Sequence, residues 1–219
     1  MTMVKALAAL MLVVLTWVSP GAAELITSHL DNDADLIALL PADNIAFVAE
    51  GRIGDLGGAA TFELDLGQST AAPSVTAQYG WQSGVVEPFT LNYDNNLNTV
   101  EFTLGGNTLV YIPDRAFTEV FVRTRAVYEG TAVTVSDMVL DGEPVMDLST
   151  ATGAGGLDIL RIEGAILWDS FTLTGNAVLS WTGTPPHQSN LAFQIKVGTP
   201  DSSTATEPST WGLVKRLYR

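Results

Sequence analysis

An all-β fold, a single antiparallel β-sandwich or jelly roll of about a dozen strands, is what this sequence predicts. Three observations point there. Apolar and polar residues alternate with period two over much of the chain, the pattern of half-buried strands. Turn-forming clusters, among them Asp94-Asn95-Asn96, Gly105-Gly106-Asn107, Glu129-Gly130 and Asp141-Gly142, separate the alternating runs. No long helical pattern intervenes, which argues against strand-helix-strand units around a parallel sheet.

The elements follow in order. Residues 1–23 read as a secretory leader: Lys5 supplies a positive start, and residues 6–18 form an apolar run shorter than the ~20 residues a spanning helix needs. Ser19-Pro20-Gly21-Ala22-Ala23 then offers the small residues that signal peptidase requires. Cleavage after Ala23 is expected, with export to the extracellular space or cell surface. A short helix is expected at residues 33–40, with acids at its positive end and Pro41 stopping it.

Strands are expected at residues 45–52, 74–81, 88–93, 108–112, 119–128, 132–140, 157–163 and 171–181. The clearest alternations add three more. Phe62, Leu64 and Leu66 alternate with Thr61, Glu63 and Asp65; Val100, Phe102 and Leu104 with Glu101 and Thr103; Leu191, Phe193, Ile195 and Val197 with Ala192, Gln194 and Lys196. Each places one face in a core and the other toward water, so Phe102, Phe193 and Ile195 are expected inside. Gly153-Ala154-Gly155-Gly156 reads as a flexible loop, and residues 198–219 as a disordered tether rich in Ser, Thr and Pro. Residues 24–197 are thus one domain, long enough for a sizeable core, and no repeat of 20 to 50 residues suggests a solenoid or propeller.

Composition narrows the function. From Glu24 to Glu207 lie all 24 acidic residues but six basic ones, a balance that repels nucleic acid and anionic lipid and keeps a secreted protein in solution. Cysteine is absent, so disulfides, a thiol nucleophile and cysteine-held metals are excluded. With His29 and His187 as the sole imidazoles, a histidine metal cluster or a Ser-His-Asp triad has little to draw on.

Several side chains are candidates for chemistry, each beside a plainer role. Asp31, Asp33 and Asp35 alternate like the opening of a calcium loop, but Leu36 and Ala42 stand where that loop needs its glycine and bidentate glutamate. Acids at the start of a helix are the plainer role. Asp94-Asn95-Asn96, with Asn92 and Asn98, lies where a hairpin wants Asn and Asp for backbone reasons alone, and is a calcium source only if loops from elsewhere supply further oxygens. Tyr79, Trp81, Trp168 and Trp181 are rings that stack on a sugar if exposed, or close the core if not. Glu163 and Asp169 are one of many carboxylate pairs that glycoside hydrolysis would need. Arg123 and Arg125, on one strand face with Phe121 and Val127, suit pairing with acids on the sheet surface.

Five blocks in order carry a family resemblance. They are Ala49-Glu50-Gly51-Arg52-Ile53-Gly54, Thr61-Phe62-Glu63-Leu64-Asp65-Leu66-Gly67, Phe121-Val122-Arg123-Thr124-Arg125-Ala126, Phe171-Thr172-Leu173-Thr174-Gly175 and Leu191-Ala192-Phe193-Gln194-Ile195-Lys196-Val197-Gly198. Together they resemble the choice-of-anchor W type domain of bacterial exported proteins, which implies a β-rich extracellular domain with no assigned enzymatic activity. Glu207, Pro208, Ser209, Thr210 and Trp211, followed by Gly212-Leu213, are similar to the start of a PEP-CTERM sorting signal, which implies handling by an exosortase-type enzyme. Thr206 stands in the place of that pattern's first proline, and Val214 leads at once into Lys215-Arg216. An apolar stretch this short does not span a bilayer, so the chain is expected to be soluble once its leader is removed.

The function expected is that of a non-catalytic surface or extracellular-matrix protein, meeting signal peptidase, an exosortase-type enzyme and extracellular polysaccharide but no nucleic acid. No cofactor is expected unless calcium binds at Asp31, Asp33 and Asp35. The alternative is a secreted carbohydrate-binding module using the four aromatics, with calcium assistance.

Overall fold

The computed structural model describes residues 25–54, 63–69, 75–164, 167 and 169–201. Its elements run β1 (Ile26–Leu30), α1 (Asp33–Leu39), a 3-10 turn (Ala42–Asn44), β2 (Ile45–Arg52), β3 (Leu64–Gly67), β4 (Val75–Ala77) and β5 (Val86–Asp94). Then come β6 (Thr99–Leu104), β7 (Asn107–Tyr111), β8 (Glu119–Ala126), β9 (Thr131–Leu140), β10 (Glu143–Pro144) and β11 (Ser149–Thr152). The last are β12 (Gly156–Glu163), β13 (Ser170–Trp181) and β14 (Leu191–Gly198).

Two seven-stranded sheets face one another. The first has the order β1-β12-β8-β14-β2-β3-β4, and the second β10-β9-β13-β5-β6-β7 with β11 also paired to β9. All the strand pairings are antiparallel. The inward rows are the alternating apolar residues. Phe47, Leu64, Leu66, Val122, Leu160, Phe193 and Ile195 of the first sheet meet Leu91, Val100, Phe102, Val133 and Leu173 of the second, and all are fully buried. Edge-on aromatic contacts pin the layers: Phe47 and Tyr93 pack against Phe117 at ring separations of 5.5 and 4.8 Å, and Trp81 packs against Phe193 at 6.3 Å.

One strand changes face along its length. The β13–β9 register shifts between Thr174 and Asn176, beside Asp137 at φ 51°. Asp tolerates this left-handed conformation better than most residues, and its carboxylate accepts from Asn176 and Ser136 at 3.1 and 3.0 Å. The extra residue turns the inward set from Val133 and Val135 to Met138 and Leu140.

The outer face of the first sheet carries α1. Asn32 caps the helix, accepting from the Ala34 and Asp35 amides, and Leu36 and Leu40 press onto Phe121 and Ile159. This face carries a second, small apolar cluster among the described residues.

Some expectations need correction. Glu63 and Asp65 do not face water: at 1% and 0% exposure they are buried with Glu50 at 1%, on the side of the sheet away from the main core. Three strands carried no readable alternation, β1, β10 and β11. The body also runs past residue 198, since the Thr199 and Asp201 amides donate to Asn44 and Leu39 carbonyls at 3.1 and 2.9 Å. The segment at residues 74–81 is a strand only over β4, and Gly153-Ala154-Gly155-Gly156 makes a tight turn closed by a 3.1 Å bond from the Gly156 amide to the Gly153 carbonyl.

Candidate functional site

The residues singled out by sequence are mostly occupied in holding elements together. Trp81 is 9% exposed, wedged edge-on between Tyr79 at 4.9 Å and Phe193 at 6.3 Å, so it closes the core and offers no ring face to a sugar. Tyr79 is half-buried; burial and the Glu87 carboxylate push its phenol up to about 12. Trp181 is half-buried against the core, and its backbone is tied at both polar atoms to the Ser83 hydroxyl. Trp168 lies outside the described residues, as do residues 1–23 and the segment Glu207 to Trp211.

Asp31, Asp33 and Asp35 flank the start of α1 without converging. Both oxygens of Asp33 accept from Arg123, at 2.6 and 2.7 Å, and this pairing holds its carboxyl below the usual carboxylate range. Asp35 accepts from Asn32 at 2.8 Å, and Asp31 is exposed. Among the described residues no three His, Asp or Glu side chains are grouped to hold a metal. Glu163 pairs with Arg161 at 2.9 Å, and Arg161 also makes a two-pronged contact to Glu119 at 2.6 and 2.9 Å; Asp169 and Arg125 are exposed.

His29 was named in the sequence for its scarcity and takes a structural place. Its Nδ1 lies 2.7 Å from Asp158 of β12 and its Nε2 3.1 Å from Asp147, in the connection between β10 and β11. A neutral imidazole has one N–H, so two carboxylate partners call for the doubly protonated ring. Burial works against that charge, but the bonds to Asp158 and Asp147 outweigh it and hold the imidazole above its ordinary value.

Open space collects at one end of the sandwich, around Arg115. A cavity of about 380 Å³ lies between the β5–β6 turn and the segment after β7, lined by Tyr93, Asn95, Asn98, Asp114, Arg115 and Phe117 among others. Two further hollows of about 390 and 270 Å³ share Arg115 and Asp43, the first bounded by Asp201 and the second by Gln68 and Lys196. Arg115 itself is anchored. It donates to the Asp43 carbonyl, and the Gln68 amide oxygen, assigned facing it, accepts from all three guanidinium nitrogens at 2.8 to 3.2 Å. Within the Asp94-Asn95-Asn96 stretch, Asp94 accepts from the Asn96 and Leu97 amides, which is turn chemistry. Asn95 and Asn98 both accept from the Tyr93 hydroxyl, at 3.2 and 3.3 Å, and so line the 380 Å³ hollow at this end.

Sequence reading missed the second concentration of chemistry, a polar row crossing the outer face of the first sheet. By register Arg123, Gln194, Glu50, Asp65 and Thr76 stand side by side on five consecutive strands. A signal was present, since Glu50, Asp65 and Lys196 each recur at the outward position of a strand. Nothing in one strand's alternation, though, tells that its outward face is covered.

Among the described residues no helix is long and apolar enough to cross a membrane. No protein-family model matches the chain, and no curated protein matches it either.

Proposed function

We propose that this is an exported, non-catalytic protein of the bacterial surface or extracellular matrix, of the choice-of-anchor type. The observation that carries the reading is how its polar side chains are engaged. The imidazole of His29, the guanidinium groups of Arg123 and Arg161 and the carboxylates facing them tie strands and helix together rather than converge on a vacant reacting position. The leader-like start and the excess of 24 acidic over ten basic residues support the same reading. Expression with residues 1–23 in a bacterial host, followed by fractionation and N-terminal sequencing, tests it. Mature protein beginning at Glu24 outside the inner membrane is expected; intact Met1-started protein in the cytoplasm overturns it.

A second reading, a carbohydrate-binding module, moves from the aromatic platform to the end cavity. Its 380 Å³ lies within the range of small-molecule sites, and its lining combines Tyr93 and Phe117 with Asn95, Asp114 and Arg115 as hydroxyl partners. Binding to a glycan array that Asn95→Ala and Asp114→Ala abolish would favour this module. Turnover of a glycoside lost in Glu163→Gln would favour a hydrolase over both.

A further inference from the structure

Glu50 on β2 and Asp65 on β3 stand directly opposite each other, on the face of the first sheet turned away from the main core. Both are sealed from water, and among the described residues neither Asp65 oxygen nor Glu50 Oε2 has a hydrogen-bond donor. Glu50 Oε1 accepts from the Gln194 amide at 3.1 Å. Two carboxylates this close in dry surroundings cannot both be ionised, and two acceptors face to face lack the hydrogen that would join them.

The groups around the pair do not supply that hydrogen. On β2, Arg52 reaches Glu50 Oε2 only at 3.9 Å while donating to the Ser189 hydroxyl at 2.8 Å. On β14, Lys196 is half-buried in the next row; burial, then the charge of Arg123, lowers its ammonium below the ordinary value. Arg123 of β8 is committed to Asp33 of α1, and Glu63, just before β3, accepts from the Gly54 amide at 2.9 Å. Thr76 of β4, opposite Asp65, is uncharged.

We propose that Glu50 and Asp65 hold one proton between them and form an acid-closed lock on the β2–β3–β4 edge of the first sheet. With the proton in place, one carboxyl donates its O–H to an oxygen of the other, and the pair carries a single negative charge shared with Gln194, Arg52 and Lys196. Loss of the proton sets two buried negative charges against each other across the β2–β3 ladder and loosens β3 and β4. Burial first, and then the Glu50 carboxylate, push Asp65 up to about 9. That places the lock's opening in mildly alkaline solution.

The sign follows from proton counting. An unfolded chain's carboxyl titrates near its ordinary value of about 4, so from there to the raised folded value the native state binds one more proton. The contribution to stability is complete below the unfolded value and is lost as pH rises through the window to the folded one. One proton corresponds to about a tenfold fall in the folding constant per pH unit.

The experiment is urea unfolding of the mature protein from about pH 6 to about pH 9, beside Asp65→Asn, which keeps a neutral hydrogen-bonding group at the site. The wild-type folding constant is expected to fall more steeply, by about tenfold per unit, than that of the variant. Parallel slopes overturn the proposal. If Asp65→Asn does not fold, the infrared carbonyl band of a protonated carboxyl decides on the wild type alone. Its presence at neutral pH and disappearance in alkali are expected, and its absence at neutral pH overturns the lock.

Discussion

Phe193 is fully buried where the sheets meet, with Trp81 edge-on at 6.3 Å and Phe89 tilted at 6.0 Å. Phe193→Ala leaves a cavity that rigid neighbours cannot fill, and the expected loss is about 3 to 5 kcal/mol by urea denaturation. A loss near the ±0.5 kcal/mol typical of surface substitutions would mean the ring is not in the core. Gly51 reports on the same ring, because a Cβ there would collide with it. Gly51→Ala is therefore expected to destabilise, and to cost less in a Phe193→Leu background, a coupling that a double-mutant cycle measures. The inward position of Phe193 was legible in its alternation with Ala192 and Gln194. Burial of Asp65 was not, because alternation assigns a residue to a face without saying whether that face is covered. His29 was legible only as a rarity, since its two carboxylate partners lie more than a hundred residues away. Its folded value is raised, so its contribution is complete below the unfolded value of about 6.5 and is lost as pH rises through the folded one. In His29→Asn that part of the pH dependence should vanish from thermal midpoints measured by calorimetry.

At the scale of elements, α1 shows what local chemistry can specify. Its acids at the start and Pro41 at the end were readable, and Asn32 takes the cap by accepting from two backbone amides. Asn32→Ala is expected to cost about 1 kcal/mol, read from denaturant midpoints. What the helix rests on was not readable, because Phe121 and Ile159 belong to β8 and β12, far along the chain. The missed strands share a physical reason. β1 buries none of its residues, β10 is two residues long, and β11 is made of Ser, Thr and Ala, so none displays an apolar face. Their pairing partners, not their own patterns, make them strands. The strand at residues 132–140 was legible, whereas the Asp137 bulge that reverses its inward face was not, since Asp137 is bonded by Asn176 across the sheet.

The molecule as a whole balances two limbs of pH dependence. Asp33 has its carboxyl lowered, chiefly by Arg123, so its contribution is present above the unfolded carboxyl value and is lost as pH falls through the folded one. His29 and the Glu50–Asp65 pair act in the opposite sense, losing stability as pH rises. Calorimetry across pH should therefore find the highest thermal midpoint on the acid side of neutrality, and a maximum above pH 8 would contradict the raised values of both groups. The two-layer β architecture was legible from periodicity and turns, whereas the hollows around Arg115 were not, since they form where connections far apart in the chain meet. The strand order has a consequence in time. β14 sits between β8 and β2, and the Glu50–Gln194 bond joins positions 144 residues apart, so the first sheet cannot close until the last strand has arrived. Such non-local pairing folds slowly, over milliseconds to seconds or longer, because loop closure precedes any gain from contacts. A chain threaded through a translocation channel from its amino end would thus keep its first sheet open for the whole passage, and close it only once β14 has emerged on the far side.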